Sequence, residues 1–531
     1  MLWGRNMQNN VETEIKLLIA KKHVKTLTAS SLVAKKTKKG SHKTVKLVNI
    51  YFDTRDLLLR QAGIAYRVRQ NGKKFEAAVK LGRSEAGGLS ARQEYNVAVK
   101  NAKPDLSVFN DSGLQVDFDA LLGTAQVEKL FTVRVKREIR LLQVTKETVV
   151  EMALDQGFIS AGGKKETIDE VELELKEGSL ADLLAYTAKI AVEVPVFTES
   201  RSKYARGLAL LDKLEPEGTC PLQDIDWDKD YCEEYKKQFY QYGTAVMEEQ
   251  NVFADCGKLQ TEADRIFLPY FERMQEALYW LQPVMDGSAG MQANLQGALR
   301  PLYRLRDTKA LLRRWKSLFK LADGRLGADK VTRLLENRVE DIGDEIQMQV
   351  ERGTYSGIVF SLWAAMESAG WKAEEYLQAG QLLQVRVKDI LDKIEDAMYR
   401  ERETEKAGAM AVGNHAQEKK GRNVSLKEPG YVTVTRLGKE FHYLAAANEI
   451  SKLSDLSKES RKKLEKLGEA IEELFTVNSL GQSVPAELLK ANTVLAARQG
   501  GYLLGDLAAE QLMARKAVNK AFAKWLKTVK M

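Results

Sequence analysis

Hydrophobic and polar residues alternate with a period of two in the first part of the chain, from Val11 to about Leu211. Such alternation is typical of strands with one apolar and one polar face. It occurs in VETEIKL, NIYFDT, AYRVRQ, RQEYNVAV, TVRVKREIRL and EVELELK, among other segments. The pattern predicts about eight strands, with helices from about Leu18 to Ser31 and after Gly178. The first part is therefore predicted to be an α+β domain.

The pattern changes after Leu211. The segment LEPEGTCPLQD has proline, glycine and acidic residues without periodicity, as linkers between domains do. Beyond it, a 3.6-residue period dominates in stretches such as DTKALLRRWKSLFKLAD. We therefore predict one domain over residues 1–215 and an all-α helical-bundle domain over 216–531. A polar, glycine-containing stretch over 404–431 is expected to join two helical sub-bundles.

Composition excludes several protein classes. The 531 residues are 44% hydrophobic and 29% charged, which excludes wholesale disorder and collagen-like structure. A formal charge of +8 over this length is too small to indicate nucleic-acid binding, and no specific nucleic acid is expected. Three cysteines without CxxC spacing and no run of about 18 apolar residues favour a cytoplasmic protein that binds no membrane.

Charged residues share one face of each predicted strand. Glu12, Glu14 and Lys16 alternate with apolar neighbours in the first strand, because successive side chains point to opposite faces. The same division recurs in later strands, at Arg67, Arg69, Lys80, Arg92, Glu94, Glu170, Glu172 and Glu174. One interpretation is an ordinary half-exposed sheet whose charges face water. The other is a sheet closed around its polar face, which forms a tunnel lined by both signs of charge.

A tunnel of this kind restricts its ligand. Unpaired charges inside it are costly, so the ligand has to bring both signs of charge. Polyphosphate with a divalent metal meets this requirement, since carboxylates bind Mg²⁺ or Mn²⁺ while arginine and lysine neutralise phosphate oxygens. The four histidines have no zinc-like spacing, and the chain has no P-loop or GxGxxG motif.

An ordered set of motifs in the first part resembles a known family. The set begins with ExExK at Glu12–Lys16, which is the opening signature of CYTH domains, also named triphosphate tunnel metalloenzymes. It continues through YFDT, YRVR, VKLG, GGLSARQEYNV, ALDQG, ELELK and SKYARG. The order of this domain followed by a helical one resembles the bacterial CYTH–CHAD inorganic triphosphatases. The resemblance implies an eight-stranded antiparallel β tunnel that binds triphosphate and hydrolyses it with Mg²⁺ or Mn²⁺.

The resemblance also implies roles for individual residues. It places Glu12, Glu14, Lys16 and Asp155 at the catalytic centre. The implied metal ligands are Glu12, Glu14, Asp155, Glu170, Glu172 and Glu174. The implied substrate contacts are Lys16, Arg67, Arg69, Lys80, Arg92, Glu94, Arg134, Arg137 and Lys203.

The strand TVRVKREIRL contains two of these substrate contacts on opposite faces. Alternation groups Arg134 with Lys136 and Arg140. The family motif instead points to Arg137, which lies on the other face unless a β-bulge intervenes. Both arginines are retained as candidates.

The helical part resembles CHAD domains in three basic segments: 300–319, 436–444 and 462–475. Arg300, Arg304, Arg306, Arg313, Arg314 and Lys316 recur at helical spacing, and only His442 stands for the histidines usual in that family. A solvated face paired with local acids is the simpler interpretation. Binding of long-chain polyphosphate is the alternative.

These patterns lead to one leading hypothesis and two alternatives. The leading hypothesis is a metal-dependent inorganic triphosphatase that converts tripolyphosphate to pyrophosphate and phosphate. One alternative is a tunnel enzyme that acts on an organic triphosphate, such as thiamine triphosphate, ATP or an RNA 5′-triphosphate. The other is a non-catalytic polyphosphate-binding protein.

Overall fold

The structure is a computed structural model of the 531-residue chain. It describes residues 11–213, 222–256, 259–371, 378–381, 385, 388–389, 392–393, 457–484 and 494–529. The domain boundary predicted at 215 and 216, the stretch predicted to join two sub-bundles at 404–431, and the basic segment 436–444 with His442 lie outside the described residues.

Nine strands form one antiparallel sheet. They are β1 (Val11–Ile19), β2 (Lys43–Thr54), β3 (Ile64–Asn71), β4 (Lys74–Ala86), β5 (Leu89–Val99), β6 (Val127–Gln143), β7 (Val149–Ala161), β8 (Lys164–Glu177) and β9 (Val196–Thr198). The order across the sheet is β5-β4-β3-β2-β6-β7-β8-β1-β9. Because β1 also pairs with β5, strands β1 to β8 close into a tunnel. The predicted eight-stranded antiparallel tunnel is confirmed.

Closure at β1 depends on a tight turn between β4 and β5. The backbone N–H of Lys16 donates to the carbonyl oxygen of Gly88 at 3.0 Å. Gly88 has a φ of +82°, and a β-carbon there would lie 2.8 Å from the carbonyl oxygen of Lys16. Only glycine fits this left-handed position so close to another backbone. The turn therefore fixes the backbone of the ExExK strand.

The two faces of the sheet have opposite character. In β1, Ile15 and Leu17 are fully buried on the outer face, while Glu14 and Lys16 point into the tunnel. Apolar residues of β3 and β4, including Tyr66, pack outside the tunnel under a cover that contains Phe109. In most barrels the interior is apolar, whereas here the charged side chains lie inside the tunnel and the apolar side chains pack outside it.

Six helices belong to the region of the sheet. They are α1 (Lys21–Ala29), α2 (Ser31–Ala34), α3 (Leu58–Gln61), α4 (Phe118–Leu122), α5 (Leu180–Glu193) and α6 (Lys203–Leu210). Of these, α6 matters most for the tunnel, because Leu208 and Tyr204 pack with Phe131 and Tyr51 in one apolar cluster at an end of the sheet. A β-carbon at Gly207 would lie 2.2 Å from the Phe131 ring, so the helix sits directly against β6.

Helices dominate the second part, as predicted. The described ones are α7 (Tyr231–Cys256), α8 (Ala263–Leu281), α9 (Ser288–Leu321), α10 (Val331–Glu351), α11 (Thr354–Ser368), α12 (Lys458–Gln482) and α13 (Val494–Val529). Within the described residues, no helix has both the length and the apolar character needed to cross a membrane. The likeness to CHAD domains stays a prediction.

The chain divides into two compact units. The first comprises Met1–Ile225, Tyr235–Leu302 and Asp344–Glu374; the second comprises Asp226–Glu234, Tyr303–Gly343 and Glu375–Met531. In the first unit, α11 packs on α5, and Gly357 faces Ala191 closely. The side-chain amide of Asn251 in α7 also donates to the carbonyl oxygen of Thr198 in β9 at 2.7 Å. The first unit thus combines strands of the tunnel with helices from the second part of the sequence.

Candidate active site

The inner faces of the strands enclose a cavity of about 810 Å³. All of the sequence-predicted site residues line it except Arg134 and Glu170. Side chains of both charges therefore converge in one enclosed space. The ordinary half-exposed sheet, in which these charges face water, is excluded for this face.

A chain of ion pairs crosses the wall formed by β1, β3, β4 and β5. Lys80 Nζ lies 2.5 Å from Glu12 Oε2 and 2.7 Å from Glu94 Oε2, and Arg67 Nη2 lies 3.0 Å from Glu94 Oε1. Arg92 Nη2 lies 3.3 Å from Glu14 Oε1. The register of β4 with β5 places Lys80 directly opposite Glu94, and the register of β1 with β5 places Glu12 opposite Arg92.

Arg69 lies beside this chain of ion pairs. Its Nε donates to Asn49 Oδ1 on β2 at 2.9 Å. The positive charge of Arg67 and burial together lower the pKa of Arg69 to about 10. Two neighbouring guanidinium groups inside one cavity repel each other, so an anion between them is favoured.

An acidic cluster occupies the facing wall. One carboxylate oxygen from each of Asp155, Glu170 and Glu172 lies within 4.8 Å of the others. Asp155 and Glu170 are fully buried, on β7 and β8, where the register places them directly opposite each other. Hard carboxylate oxygens converging in this way suit Mg²⁺ or Mn²⁺.

The ammonium group of Lys203 lies among these three carboxylates. Its Nζ is 2.9 Å from Asp155 Oδ2, 2.7 Å from Glu172 Oε1, and also in contact with Glu170 Oε1. Lys203 is the first residue of α6, and Ser202 caps that helix by accepting from the N–H of Ala205 at 3.1 Å. The helix position therefore delivers a cation to the acidic cluster.

Arg137 is the cation that binds this cluster from β6. Its Nε and Nη2 contact the two oxygens of Asp155 at 2.7 and 2.6 Å, and Nη2 also lies 2.6 Å from Glu172 Oε2. Arg134 is exposed and does not line the cavity. Pairing of β6 with β7 is regular between the two arginines, so three residues of separation place them on opposite faces. Of the two candidates in this strand, the structure brings only Arg137 to the site.

Glu170 and Glu174 differ in position although they share a face of β8. Glu170 lies beneath the cavity, where Arg206 Nη1 donates to its Oε2 at 2.8 Å. Glu174 lines the cavity and pairs with Lys176, which is partly exposed, at 2.5 Å. Burial raises the pKa of Glu174. Glu170, Glu172 and Glu174 thus form a row along one face of β8, with Glu170 at its buried end and Glu174 at its open end.

The pKa values of the carboxyl groups differ between the two walls of the cavity. Burial raises the pKa of Glu12 to about 8, and the carboxyl groups of Glu94 and Glu14 act in the same direction, against the charge of Lys80. Burial also opposes ionisation of Asp155 and Glu172, but Lys203 and Arg137 hold the pKa of both below the usual range. Glu12 therefore holds a proton near neutral pH, whereas Asp155 and Glu172 are ionised.

Burial and neighbouring charges also shift the pKa values of Lys16, Lys203 and Glu14. Burial lowers the pKa of Lys16. Burial and Glu172 oppose ionisation of Glu14, yet Lys16, Lys80 and Arg92 hold its pKa below the usual value. For Lys203, burial is outweighed by the surrounding carboxylates, and its pKa lies well above the usual value.

Several residues of the site were not predicted from the sequence. Arg206 is buried, and its Nε lies 2.7 Å from Glu166 Oε1 while Nη1 binds Glu170. Tyr204 donates to Asp53 Oδ2 at 2.9 Å, which ties α6 to β2. Both residues stand inside the SKYARG motif, so the motif contained the signal. Spacing alone does not show which of its residues point inward.

A comparison with protein families covers this part of the chain. Residues 10–208 match the family model of the CYTH domain. This segment is a CYTH domain. The chain is also 29% identical over 173 residues to an inorganic triphosphatase of Haemophilus influenzae, a match that covers 32% of this chain and 48% of that protein. The chain thus matches about half the length of this curated relative.

Solved structures are also similar to part of the chain. The Hippeastrum protein HpAC1, described as having a dominant triphosphatase activity, is 20% identical and covers 39% of this chain and 98% of its own, with a TM-score of 0.29. The Mimivirus capping enzyme triphosphatase is 12% identical and covers 35% and 90%, with a TM-score of 0.23.

Three basic residues of α9 in the second unit, Arg306, Arg314 and Lys316, are paired with acids. Arg314 Nε lies 2.5 Å from Asp506 Oδ2, and Lys316 Nζ lies 2.7 Å from Glu336 Oε1. Arg306 Nη2 lies 2.8 Å from Asp307 Oδ1. These pairs favour the solvated face with local acids over a surface left open for polyphosphate.

Proposed function

We propose that this protein is a metal-dependent inorganic triphosphatase that hydrolyses tripolyphosphate to pyrophosphate and orthophosphate inside the CYTH tunnel. One observation carries the proposal. The acids and bases that line the cavity neutralise one another through internal ion pairs, such as Lys80 with Glu94, Arg137 with Asp155, and Lys203 with Glu172. A ligand can replace both partners of each ion pair if its anionic oxygens bind the bases and its cations bind the acids. Tripolyphosphate with a divalent metal provides both kinds of group.

The residues divide into two groups in this reaction. Arg67, Arg69, Lys80 and Lys16 bind phosphate oxygens and offset the charge of the chain. Arg137 and Lys203 bind the terminal phosphoryl group from the facing wall, and Arg92 with Glu94 keeps the lining's polar network in place. Positioning and charge neutralisation of this kind supply most of the rate in phosphoryl transfer.

The carboxylates are the second group. Glu12, Glu14, Asp155, Glu170 and Glu172 would hold Mg²⁺ or Mn²⁺, with Glu174 at the open end of the row. A bound metal supplies Lewis-acid stabilisation of phosphoryl oxygens and lowers the pKa of water. In the overall reaction the oxygen of water bonds to the terminal phosphorus, the bridging P–O bond breaks, and pyrophosphate leaves.

The curated relative named an inorganic triphosphatase supports the proposal, since it is 29% identical to this chain over 173 residues. Two aromatic residues of the cavity, Tyr51 and Tyr204, favour an inorganic substrate over an organic triphosphate. Tyr51 and Tyr204 stack on each other and on Phe131, so their faces are occupied rather than available to a base. We propose a cytoplasmic location, consistent with Cys256 being a free thiol.

The test is phosphate release from tripolyphosphate, pyrophosphate, ATP and thiamine triphosphate, each with Mg²⁺, Mn²⁺ or EDTA. We expect strong, EDTA-sensitive release from tripolyphosphate. Turnover of ATP or thiamine triphosphate instead would favour the alternative of a tunnel enzyme that acts on an organic triphosphate. Salt-sensitive binding of tripolyphosphate without any release would favour the non-catalytic polyphosphate-binding protein.

Two variants test the carboxylates and the basic residues of the site separately. Glu14→Gln should abolish metal-dependent turnover and retain binding of tripolyphosphate in EDTA. Arg67→Ala should mainly weaken that binding. Wild-type rates in both variants would contradict the proposed site. Binding of long-chain polyphosphate by the helical part stays a prediction, for which fluorescence titration with the full chain is the direct test.

A further inference from the structure

A second cavity adjoins the tunnel cavity beside α6. Its volume is about 220 Å³, and we name it the side cavity. It shares Ala65, Lys80, Arg92, Ser202 and Tyr204 with the larger cavity, so these residues form the wall between the two. At about 30 Å³ per water molecule, the side cavity has room for a small tetrahedral anion and its remaining hydration.

The position of α6 explains this space. The helix leans on β6, β7 and β8, where Gly207 meets Phe131 and Arg206 binds Glu170. The side cavity is lined by residues of α6 and, facing them, by Ala65 of β3, Lys80 of β4 and Arg92 of β5. The side cavity is therefore the gap between α6 and the wall formed by β3 to β5.

The charge of the side cavity is of one sign. Its charged lining residues are Arg60, Lys80 and Arg92. The carboxylates that pair with Lys80 and Arg92 are Glu12, Glu94 and Glu14, and these line the larger cavity and not the side cavity. The shared cations thus face acids on the tunnel side and meet no acid among the residues that line the other side.

Two further features favour an anion there. Arg92 Nε is buried without a hydrogen-bond partner, in a side chain that is 10% exposed. Ser202, Tyr204 and Ala205 belong to the N-terminal turn of the eight-residue helix α6, whose dipole favours negative charge at this end. A cationic pocket, an unpaired buried donor and a helix N-terminus coincide at one place.

We propose that the side cavity binds inorganic phosphate while the tunnel cavity holds tripolyphosphate. The ligand is a tetrahedral oxyanion, bound by Arg60 and Arg92 at the start of α6. This inference rests on the proposed function for its biological meaning, since orthophosphate is a product of that reaction. With a second phosphate site next to the reaction centre, orthophosphate can bind in the side cavity while pyrophosphate still occupies the tunnel cavity.

The direct test is calorimetric titration of the full chain with inorganic phosphate in EDTA, with and without saturating tripolyphosphate. We expect phosphate to bind in both conditions. Arg60→Gln should weaken phosphate binding about tenfold, as loss of one charge-assisted hydrogen bond does, and Arg60→Lys should retain most of the affinity. Arg55→Gln is the matched control, because Arg55 is exposed and lines neither cavity.

Two results would overturn the inference. One is complete displacement of phosphate by tripolyphosphate, which would place phosphate in the tunnel alone. The other is wild-type phosphate affinity in Arg60→Gln, with its fold verified by thermal unfolding. Neither titration needs turnover. Failure to hydrolyse tripolyphosphate with metal would therefore count against the proposed function without affecting this result.

Discussion

The ammonium nitrogen of Lys203 lies 2.9 Å from Oδ2 of Asp155, in the space where three carboxylates converge. A lysine from α6 and an aspartate from β7 thus form a buried ion pair inside the tunnel. In the proposed function, this ammonium group holds the acidic cluster together and a metal ion competes with it for the same oxygens.

Lys203→Gln tests this relationship. Removing the cation leaves buried carboxylates less compensated, and we expect the free energy of unfolding in EDTA to fall by about 3 kcal/mol. Mn²⁺ should then raise the Tm of the variant more than that of the wild type, because binding to the native state alone stabilises it. Thermal unfolding with and without Mn²⁺ measures both effects. Lys164→Gln is the control, since Lys164 pairs with Asp212 at an exposed position.

If Lys203→Gln unfolds at the wild-type temperature in EDTA, the ammonium group does not hold the cluster together. An equal Mn²⁺ shift in the two proteins would contradict competition between the ammonium group and the metal.

Arg206 is expected to act as a positioning residue for Glu170. Arg206→Gln removes the 2.8 Å contact to Glu170 Oε2 and should raise the metal concentration for half-maximal activity about tenfold, as loss of an outer partner of a metal ligand does. The KM for tripolyphosphate should stay within about twofold, because Arg206 does not line the cavity. Steady-state rates at varied Mn²⁺ and varied substrate separate the two constants.

Arg206→Lys should recover part of the metal affinity, and Arg201→Gln, at a position 49% exposed, serves as the control. A purely structural role would lower the amount of active enzyme without changing the metal requirement.

Glu12 should release a proton when metal binds. Its raised pKa of about 8 means that the carboxyl group is protonated at pH 7, whereas a metal ligand has to be ionised. We expect release of about one proton at pH 7, and metal affinity that rises roughly tenfold per pH unit up to about pH 8. Calorimetry in two buffers of different ionisation enthalpy measures the release. Glu12→Gln should remove it, and release that persists in this variant would assign the proton to another group.

Gly207→Ala should destabilise the protein by about 1–3 kcal/mol, because the added methyl group overlaps the Phe131 ring. Activity should fall as well, since the same helix carries Lys203. Chemical unfolding measures the first effect and phosphate release the second. Gly297→Ala is the control: it lies within α9 with nothing within 4 Å of the added carbon, so alanine there should be neutral or stabilising. Equal stability of the two variants would contradict close packing of α6 on β6.

Much of the tunnel was predictable from local pattern. Alternation along β1 identified the charged face of Glu12, Glu14 and Lys16, because side-chain direction in a strand depends only on position. The ordered motifs then indicated closure into an eight-stranded tunnel. For β6, alternation and motif disagreed, and alternation was correct that Arg134 and Arg137 lie on opposite faces. It could not show which face turns inward, since both faces carry charged residues.

The sequence by itself thus determined the strands, the helical second part and the inward charge of most strands, since each follows from short-range periodicity. Only the tertiary structure decided which charges meet. The β1–β5 pairing closes the sheet, and the register of β7 with β8 brings Asp155 opposite Glu170. The position of α6 then places Lys203 among the acids and leaves the side cavity against β3 to β5. These partners are distant in the chain, and their contacts arise only when strand registers and helix packing bring distant segments together.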